Sequence, residues 1–396
     1  MSLETRTVFK YRRWGFVELT MIIDILRPLL TVPLLWLAIV YAGWLAHRRI
    51  SLERKTFRIA INPRWIEVGH FVGHGLLAGL ALSCCTLVLG AMVNMQWWLV
   101  YQLIAILSLL VAARWQNVSA TFLISALVYA GATFIWPQYQ MEGQASLLAE
   151  LLVIIGLVTV INSVLQRWDA EATVTPRVMT SKRGRLTAFF MSRQIYIAPV
   201  FFLVPGAIDM PSLGFWPVLN IGHQSYSLVI LPLLLGFSLK AVKGLMKSVV
   251  TKNANSYLIF GLLLVGFGLI AVAFPNWIIG MLTVALVLSC ALQWRLSRRS
   301  AHERQLHFTK PYDGVFILGI LRETPAAKMG LVVGDTIVEC NGEAVSNNDN
   351  FYRAIQSQPT YCHLKVQDLN GEFRMAEGAI FADAPHELGV VLFPEN

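Results

Sequence analysis

The stretch DGVFILGI (residues 313–320) is a short apolar run that begins at a turn, and it is followed by TPAAKMGL (residues 324–331) and GDTI (residues 334–337). An apolar run of this length between turn residues predicts a buried strand. Pro325 suits the first turn of a helix and Gly330 its end, so a short helix is expected between two strands. The dipeptide Asn341-Gly342 supplies the two positive-φ residues of a type I′ hairpin turn.

The remaining C-terminal residues continue the same alternation of strands and helices. Ser346 or Asn347 can cap a helix whose apolar face includes Phe351 and Ile355. Residues 361–369 alternate as a strand, Asn370-Gly371 forms a second hairpin turn, and residues 388–393 form the closing strand. On these motifs, residues 311–396 resemble a bacterial PDZ domain, which implies a small α+β fold with a partly open β-barrel.

The PDZ resemblance implies a groove in which a partner's extended segment adds to a strand edge beside a helix. We expect this groove between the strand from residue 315 and the helix carrying Phe351, although several of these residues would also serve as core. The residues predicted to bind the peptide are Gly314, Val315, Phe316, Ile317, Leu318, Phe351 and Ile355. The loop before the strand has one glycine where the family has two, so either a C-terminal or an internal segment is the ligand.

Composition places the rest of the chain in a membrane. Of 396 residues, 56% are hydrophobic and only 14% are charged, which is more apolar surface than one soluble core of this size buries. Runs of about 18 or more apolar residues are long enough to cross about 30 Å of hydrocarbon as helices. The sequence therefore predicts an α-helical multi-span membrane domain followed by the PDZ domain.

We expect eight or nine spans, and as few as six if the weaker ones fail. The third is short, the sixth contains Arg193 and Pro232 interrupts the seventh. The nine are Ile25–Ala46, Phe71–Val93, Trp97–Ala113, Val118–Trp136, Ala145–Leu165, Leu186–Ile208, Ser225–Val242, Ser256–Phe274 and Trp277–Trp294. The predicted organisation is a basic or interfacial segment (1–24), a transmembrane domain (25–295), a basic linker (296–310) and the PDZ domain (311–396).

Lys and Arg cluster in alternate loops, and Arg295, Arg298 and Arg299 follow the last span. The positive-inside rule therefore predicts a cytoplasmic PDZ domain. The basic N-terminus conflicts with nine spans, so either the first segment is interfacial or translation begins at Met21. The net charge of +9 is explained by loops that set topology and attract anionic headgroups of membrane lipids, and no nucleic-acid-binding pattern is present.

No enzyme, cofactor or metal site is predicted. His70 and His74 have the i, i+4 spacing of a zinc pair, but Phe71 stands where a metalloprotease needs a glutamate, and the sequence offers no third ligand besides Asp209 in an outward loop. The five cysteines have no metal-binding spacing. A transporter or sensor remains the alternative function, with Arg193 and Glu150 as its intramembrane charges.

The whole plan is similar to that of the MinJ family of cell-division topology proteins from Firmicutes. The resemblance rests on the stretch RRISLERKTF (residues 48–57) after the first apolar segment, the run of spans and the single C-terminal PDZ domain. It implies a membrane-anchored adaptor at the division septum and poles, which links a DivIVA-like coiled-coil protein to a MinD-like ATPase and so restricts assembly of the FtsZ ring. A homo-oligomer through the glycines at 261, 266 and 268 is left open.

Overall fold

The computed structural model describes residues 29–110, 117–136, 144–180, 184–205, 218–221, 224–302, 308–309, 311, 313–380 and 388–394. The predicted N-terminal segment 1–24 and Asp209 lie outside these residues. The predicted fold class is confirmed: a helical region with apolar candidate spans is followed by a β-rich PDZ domain.

Seven long helices occur in the described part of the chain before the PDZ domain. They are α1 (Pro33–Phe57), α2 (Ile66–Leu89), α3 (Met95–Leu110), α4 (Val118–Ile135), α5 (Gln144–Asp169), α6 (Met246–Ala273) and α7 (Ile278–His302). Five of them, α2, α4, α5, α6 and α7 with its preceding 3₁₀ turn, are long and apolar enough to cross a membrane. The helix α3 is apolar but shorter, at 16 residues.

The sixth and seventh predicted spans are not helices but the two strands of a long antiparallel hairpin, so that prediction is wrong. The strands are β2 (Leu186–Pro205) and β4 (Gln224–Ala241), and their register places Pro199 opposite Pro232. Both strands are buried on both faces along most of their length. The polar–apolar alternation that identifies a half-exposed strand is therefore missing, and a continuous apolar run does not distinguish a buried strand from a helix.

Three short strands complete this sheet. They are β1 (Thr175–Thr180), β3 (Val218–Ile221) and β5 (Phe308–Thr309). The order is β1-β2-β4-β3, and β5 pairs with β2 beside the start of that strand. The region predicted as a linker, 296–310, thus contains the end of α7 and the strand β5.

The helix α2 runs along the outer edge of β2. A Cβ atom on Gly75 would lie 2.5 Å from the carbonyl oxygen of Ile197, and one on Gly79 would lie 2.5 Å from that of Pro199. Residues 194 to 203 cover roughly 30 Å at about 3.3 Å per residue, which is close to the hydrocarbon thickness of a bilayer. The hairpin therefore reaches across the same depth as the helix that covers it.

Side chains of the helices bond the backbone groups on the two outer edges of the hairpin. On β2, the Phe201 N–H donates to Ser83 Oγ at 3.0 Å, and its carbonyl accepts from Thr86 Oγ1 at 2.8 Å. On β4, the Leu234 N–H donates to Tyr101 Oη and the Gly236 N–H donates to Asn162 Oδ1, both at 2.9 Å. Non-helical backbone at membrane depth is tolerated where protein satisfies it in this way.

The outer surface of the helices is apolar, as expected of a lipid-facing surface. Large hydrophobic side chains are exposed along α1, α2, α3, α4, α6 and α7, among them Val88, Leu103, Phe134 and Val287. Tryptophans such as Trp136 and Trp277 are exposed at helix ends, where aromatic side chains favour the membrane interface. The helices thus carry the lipid contact and enclose the hairpin.

Glycines also bring α5 and α6 close together. A Cβ atom on Gly261 would lie 2.8 Å from Val160 Cγ2, and one on Gly268 would lie 2.5 Å from Val153 Cγ2. Gly266 has no atom within 4 Å of its Cβ position. Two of the three glycines considered for self-association are therefore used for contacts within the chain.

The PDZ domain follows the predicted order of elements closely. It contains β6 (Val315–Ile320), α8 (Pro325–Lys328), β7 (Thr336–Cys340), β8 (Glu343–Ala344), α9 (Asn348–Ser357), β9 (Tyr361–Gln367), β10 (Phe373–Ala379) and β11 (Val390–Leu392). Asn341 and Gly342 both have positive φ, as the predicted hairpin turn requires. The sheet order is β10-β9-β7-β6-β11, with β8 added to β7.

A row of aromatic rings joins the PDZ domain to the hairpin. Phe190 of β2 lies 5.2 Å from Phe308 between ring centroids, Phe308 lies 5.6 Å from Phe316, and Phe316 lies 6.0 Å from Phe393. Arg322 also donates from Nη2 to the Ala172 carbonyl at 3.2 Å. The PDZ domain is thus packed against one end of the membrane region.

Candidate functional site

In the described part of the chain, β11 and not β6 has an unpaired strand edge. The strand β6 is paired with β7 at Val315 and with β11 at Gly319 and Ile320, so both of its edges are occupied. The strand β11 pairs with β6 on one side, and no strand in the described part of the chain pairs with its other side. The edge of β6 that was expected to be open is therefore covered by the last strand of the domain, and the position of the peptide remains a prediction.

The helix α9 lies beside the other edge of β11. Its N-cap is Asn347, whose side chain accepts from the Asn350 N–H, as the sequence predicted. Asn348 Nδ2 donates to the Phe393 carbonyl at 2.8 Å, which ties the start of the helix to the end of the strand. The start of α9 is therefore held next to the end of β11.

The residues of α9 that face β11 follow from the position of Asn348. Residues four and seven positions along a helix share its face, which places Tyr352 and Ile355 on the same stripe. Tyr352 is 42% exposed, whereas Ile355, near the C-terminal end of the helix, is buried. An exposed aromatic ring beside an unpaired strand edge is a typical anchor for an apolar side chain of a bound segment.

Most of the residues predicted to bind the peptide do not lie between α9 and β11. Val315 and Ile317 lie in the PDZ core, and Phe351 is fully buried there. Phe316 and Leu318 belong to the cluster that contacts the membrane region. Gly314 has φ of +90°, and a Cβ atom there would lie 2.7 Å from Thr336. Of the seven, only Ile355 lies on the stripe that faces β11, and the roles of these residues remain predictions.

The sequence also contains a partial loop signal at β11. Leu388-Gly389-Val390 runs into this strand and matches the last three positions of the family's glycine–hydrophobic–glycine–hydrophobic carboxylate-binding loop, whereas Glu387 stands at the position of its first glycine. Gly389 has φ of +85°, and the Leu321 N–H donates to its carbonyl oxygen. The predicted loop around Gly314 instead leads into a strand in the middle of the sheet.

A second cluster of polar side chains lies where α2 and α5 meet. His74 Nδ1 is 2.8 Å from Asp169 Oδ2, and His70 Nδ1 is 3.4 Å from Asp169 Oδ1. Tyr196 of β2 donates to Asp169 Oδ2 at 2.5 Å. Asp169 is thus the third residue of the cluster, and the spacing of His70 and His74 did not indicate it because it lies almost a hundred residues away along the chain.

The basic stretch 48–57 has a structural explanation in the fold. Arg49 is buried and donates to Glu67 through Nε and Nη2 and to Glu53 through Nη1, which joins α1 to α2. Glu53 in turn accepts from the Ile61 N–H at 2.8 Å. Removing one partner of such a buried pair leaves an uncompensated charge. This network explains why Arg and Glu are needed at these positions.

The two charges proposed for a transporter also have local contacts. Glu150 Oε2 accepts from the Met92 N–H at 3.0 Å, beyond the end of α2. Arg193 lies on β2 and not on a helix, and its guanidinium carbon is 5.6 Å from the centroid of the Tyr41 ring. Arg193 Nε and Nη2 are buried and make no hydrogen bond within the described residues, so the local contacts account for Glu150 more fully than for Arg193.

Comparison with known proteins identifies relatives across nearly the full chain. The PDZ domain model matches residues 316–368. A probable cell division topological determinant MinJ from Lacticaseibacillus paracasei is 31% identical over 373 residues, which cover 91% of this chain and 95% of that protein. The cell division topological determinant MinJ of Bacillus subtilis is 26% identical over 379 residues, covering 92% of this chain and 93% of that protein.

Among solved structures, the PDZ domain of an SdrC-like protein from Listeria innocua covers 21% of this chain and 98% of its own. Its sequence identity is 21% and its TM-score is 0.19.

Proposed function

The chain belongs to the MinJ family of cell division topological determinants, and from this premise we propose that it is a membrane-anchored adaptor whose PDZ groove recruits division proteins. The relatives are named as determinants of division topology and not as enzymes, and a PDZ domain is an interaction module. The observation that carries the proposal is the unpaired edge of β11 beside α9, which provides a place for a partner's extended segment.

The membrane helices anchor the PDZ domain, and this anchoring is what makes a weak binding groove effective. A binding module fixed to a membrane concentrates its partners near the surface, so a weak single contact suffices when many copies gather. We propose that the groove faces the cytoplasm, because the loops beside the PDZ domain carry Arg295, Arg298 and Arg299. The partners proposed are a DivIVA-like polar protein and a MinD-like ATPase, and the location proposed is the septum and the poles.

The test is the localisation of fluorescently tagged protein in dividing cells of its host. We expect the full-length chain to be enriched at septa and poles, and a chain truncated after Ser300 to remain in the membrane without recruiting its partners. Tyr352→Ala removes the exposed aromatic anchor and is expected to weaken recruitment by at least tenfold, in line with about 2 kcal/mol for an interface hot spot. Recruitment is measured as the septal-to-lateral fluorescence ratio of the partner.

The matched control is Arg353→Ala, because Arg353 is exposed on α9 and, among the described residues, bonds Asp349 and Asn350 of its own helix. Its recruitment should equal that of the unchanged protein. An even membrane distribution of the full-length chain would refute the division-site proposal. Full recruitment by the truncated chain would instead show that the spans, and not the PDZ domain, hold the partners.

A further inference from the structure

The His70–His74–Asp169 cluster has the composition and spacing of a metal site. The two histidines are one helical turn apart on α2, and Asp169 is the last residue of α5. One ligand atom from each residue lies within 4.8 Å of the other two. Imidazole nitrogens and a carboxylate oxygen are the ligands that zinc takes in sites with three protein ligands.

The distances are close to those around a tetrahedral ion. Zinc binds nitrogen and oxygen at about 2.0–2.2 Å, so two ligand atoms of one tetrahedral site lie roughly 3.3–3.5 Å apart. His70 Nδ1 lies 3.4 Å from Asp169 Oδ1, and His74 Nδ1 lies 2.8 Å from Asp169 Oδ2. The first separation matches the ligand spacing, and the second must widen by roughly 0.5 Å when an ion binds.

A second observation points to a ligand at this position. His70 Nδ1 is buried and makes no hydrogen bond within the described residues, although it is turned toward Asp169. Buried polar atoms are nearly always satisfied, so an orphaned imidazole nitrogen calls for a partner. A hydrogen-bonded His74–Asp169 pair alone leaves this atom unpaired, whereas a metal ion shared by all three residues satisfies it.

A neighbouring side chain orients the Asp169 carboxylate, and the two histidines are partly exposed to solvent. Tyr196, which is fully buried, donates to Asp169 Oδ2 and so fixes the orientation of the carboxylate, as supporting residues do in metal sites. The side chains of His70 and His74 are 21% and 30% exposed, which provides a route of entry for an ion. Glu67, one turn before His70, has both carboxylate oxygens bonded to Arg49.

We propose that His70, His74 and Asp169 bind a divalent transition-metal ion, zinc by their ligand chemistry, and that this ion joins α2 to α5. The site has three protein ligands, so water or a further ligand completes the coordination. Because both carboxylate oxygens of Glu67 are bonded to Arg49, Glu67 is not available as a general base beside the ion. The ion lies close to the PDZ contact, since Ala172, which accepts from Arg322, follows Asp169 by three residues. This proposal does not depend on the peptide groove.

The direct test is zinc titration of the purified full-length protein in detergent, without a polyhistidine tag and after removal of metal by a chelator. Isothermal calorimetry should show one ion per chain. His74→Ala should weaken zinc binding by at least 100-fold, and Tyr196→Phe by about tenfold, because removal of a supporting residue typically costs 10- to 100-fold in affinity. The matched control His363→Ala removes an exposed histidine paired with Glu377 and should leave binding unchanged.

A second measurement avoids reliance on variants that fail to fold. Cobalt(II) added to the unchanged protein should give saturable visible absorption bands of a bound ion at one equivalent, and zinc should abolish them. Lack of saturable uptake of either ion by the unchanged protein would overturn the proposal. Binding by His74→Ala with the affinity of the unchanged protein would overturn it equally, since the ion would then lie elsewhere.

Discussion

The membrane hairpin and the PDZ sheet both place a strand edge beside a helix, but they treat that edge differently. Along β2, the helix α2 approaches through glycines and bonds the strand with Ser83 and Thr86. Along β11, the side chain of Asn348 on helix α9 donates to the Phe393 carbonyl at the end of the strand. The first edge is covered along its length by a helix, whereas the second has no strand paired with it in the described part of the chain.

The solvent explains the difference. Lipid offers no hydrogen bonds, so an unpaired N–H or carbonyl at membrane depth costs several kcal/mol and must be satisfied within the protein. Water bonds the free edge of a cytoplasmic or other aqueous domain until a peptide replaces it, so the open edge of β11 carries little penalty. The same arrangement of strand and helix is therefore a closed edge in one region and, in our proposal, a binding groove in the other.

The largest loss of stability is expected when a side-chain atom is added in the close contact between α2 and β2. Gly79→Ala places a Cβ atom 2.5 Å from the Pro199 carbonyl oxygen, which is backbone and cannot rotate away. We expect a loss of about 1–3 kcal/mol in the free energy of unfolding, as in other overpacked cores. The measurement is the thermal unfolding midpoint of the full chain in detergent.

Gly73→Ala is the matched control on the same helix, because Gly73 is exposed and has no atom within 4 Å of its Cβ position. It should be neutral or stabilising by up to about 1 kcal/mol, since alanine is the better helix former. Equal destabilisation by the two substitutions would argue against close packing of α2 on the hairpin.

A smaller loss of stability is expected when one side-chain hydrogen bond to the outer edge of β2 is removed. Thr86→Val keeps the shape of the side chain but removes the hydroxyl that donates to the Phe201 carbonyl in a site that is almost fully buried. The expected cost is about 0.5–1.5 kcal/mol, the net contribution of one intramolecular hydrogen bond. Chemical unfolding of the two proteins in detergent provides the comparison.

Thr283→Val is the control, because the Thr283 hydroxyl donates only to the Ile279 carbonyl of its own exposed helix surface. Its unfolding free energy should change by less than about 0.5 kcal/mol. If Thr283→Val and Thr86→Val behave alike, the hydroxyl of Thr86 does not seal the hairpin edge.

The smallest loss of stability is expected when the corresponding side-chain hydrogen bond at β11 is removed. Asn348→Ala removes the bond to the Phe393 carbonyl, but water can reach this half-buried position and replace the donor. The unfolding midpoint should therefore change by the equivalent of no more than about 0.5 kcal/mol. Asn347→Ala, which removes the N-cap of the same helix, should cost about 1 kcal/mol and shows that such effects are detectable. A larger loss from Asn348→Ala than from Thr86→Val would reverse the comparison.

The family and the order of PDZ elements were predictable from sequence because they depend on local signals. Turn residues such as Asn341-Gly342, the helix cap at Asn347 and the length of each apolar run act within a few neighbouring residues. The stretch around Arg49 was a further local signal, and the full-length relatives confirm the resemblance. Composition alone assigned the chain to membranes, since its apolar residues exceed what a soluble core holds.

Tertiary structure alone decided three features that local patterns do not contain. The apolar runs of β2 and β4 became a hairpin because each was buried on both faces, which removes the periodicity that distinguishes strand from helix. The edge of β6 is covered by β11 because pairing of Gly319 with Val391 joins segments far apart in sequence. Asp169 lies beside His70 and His74 because packing joins segments far apart in sequence there too. Sequence determines which residues must be buried or turned, whereas long-range packing determines which of them become neighbours.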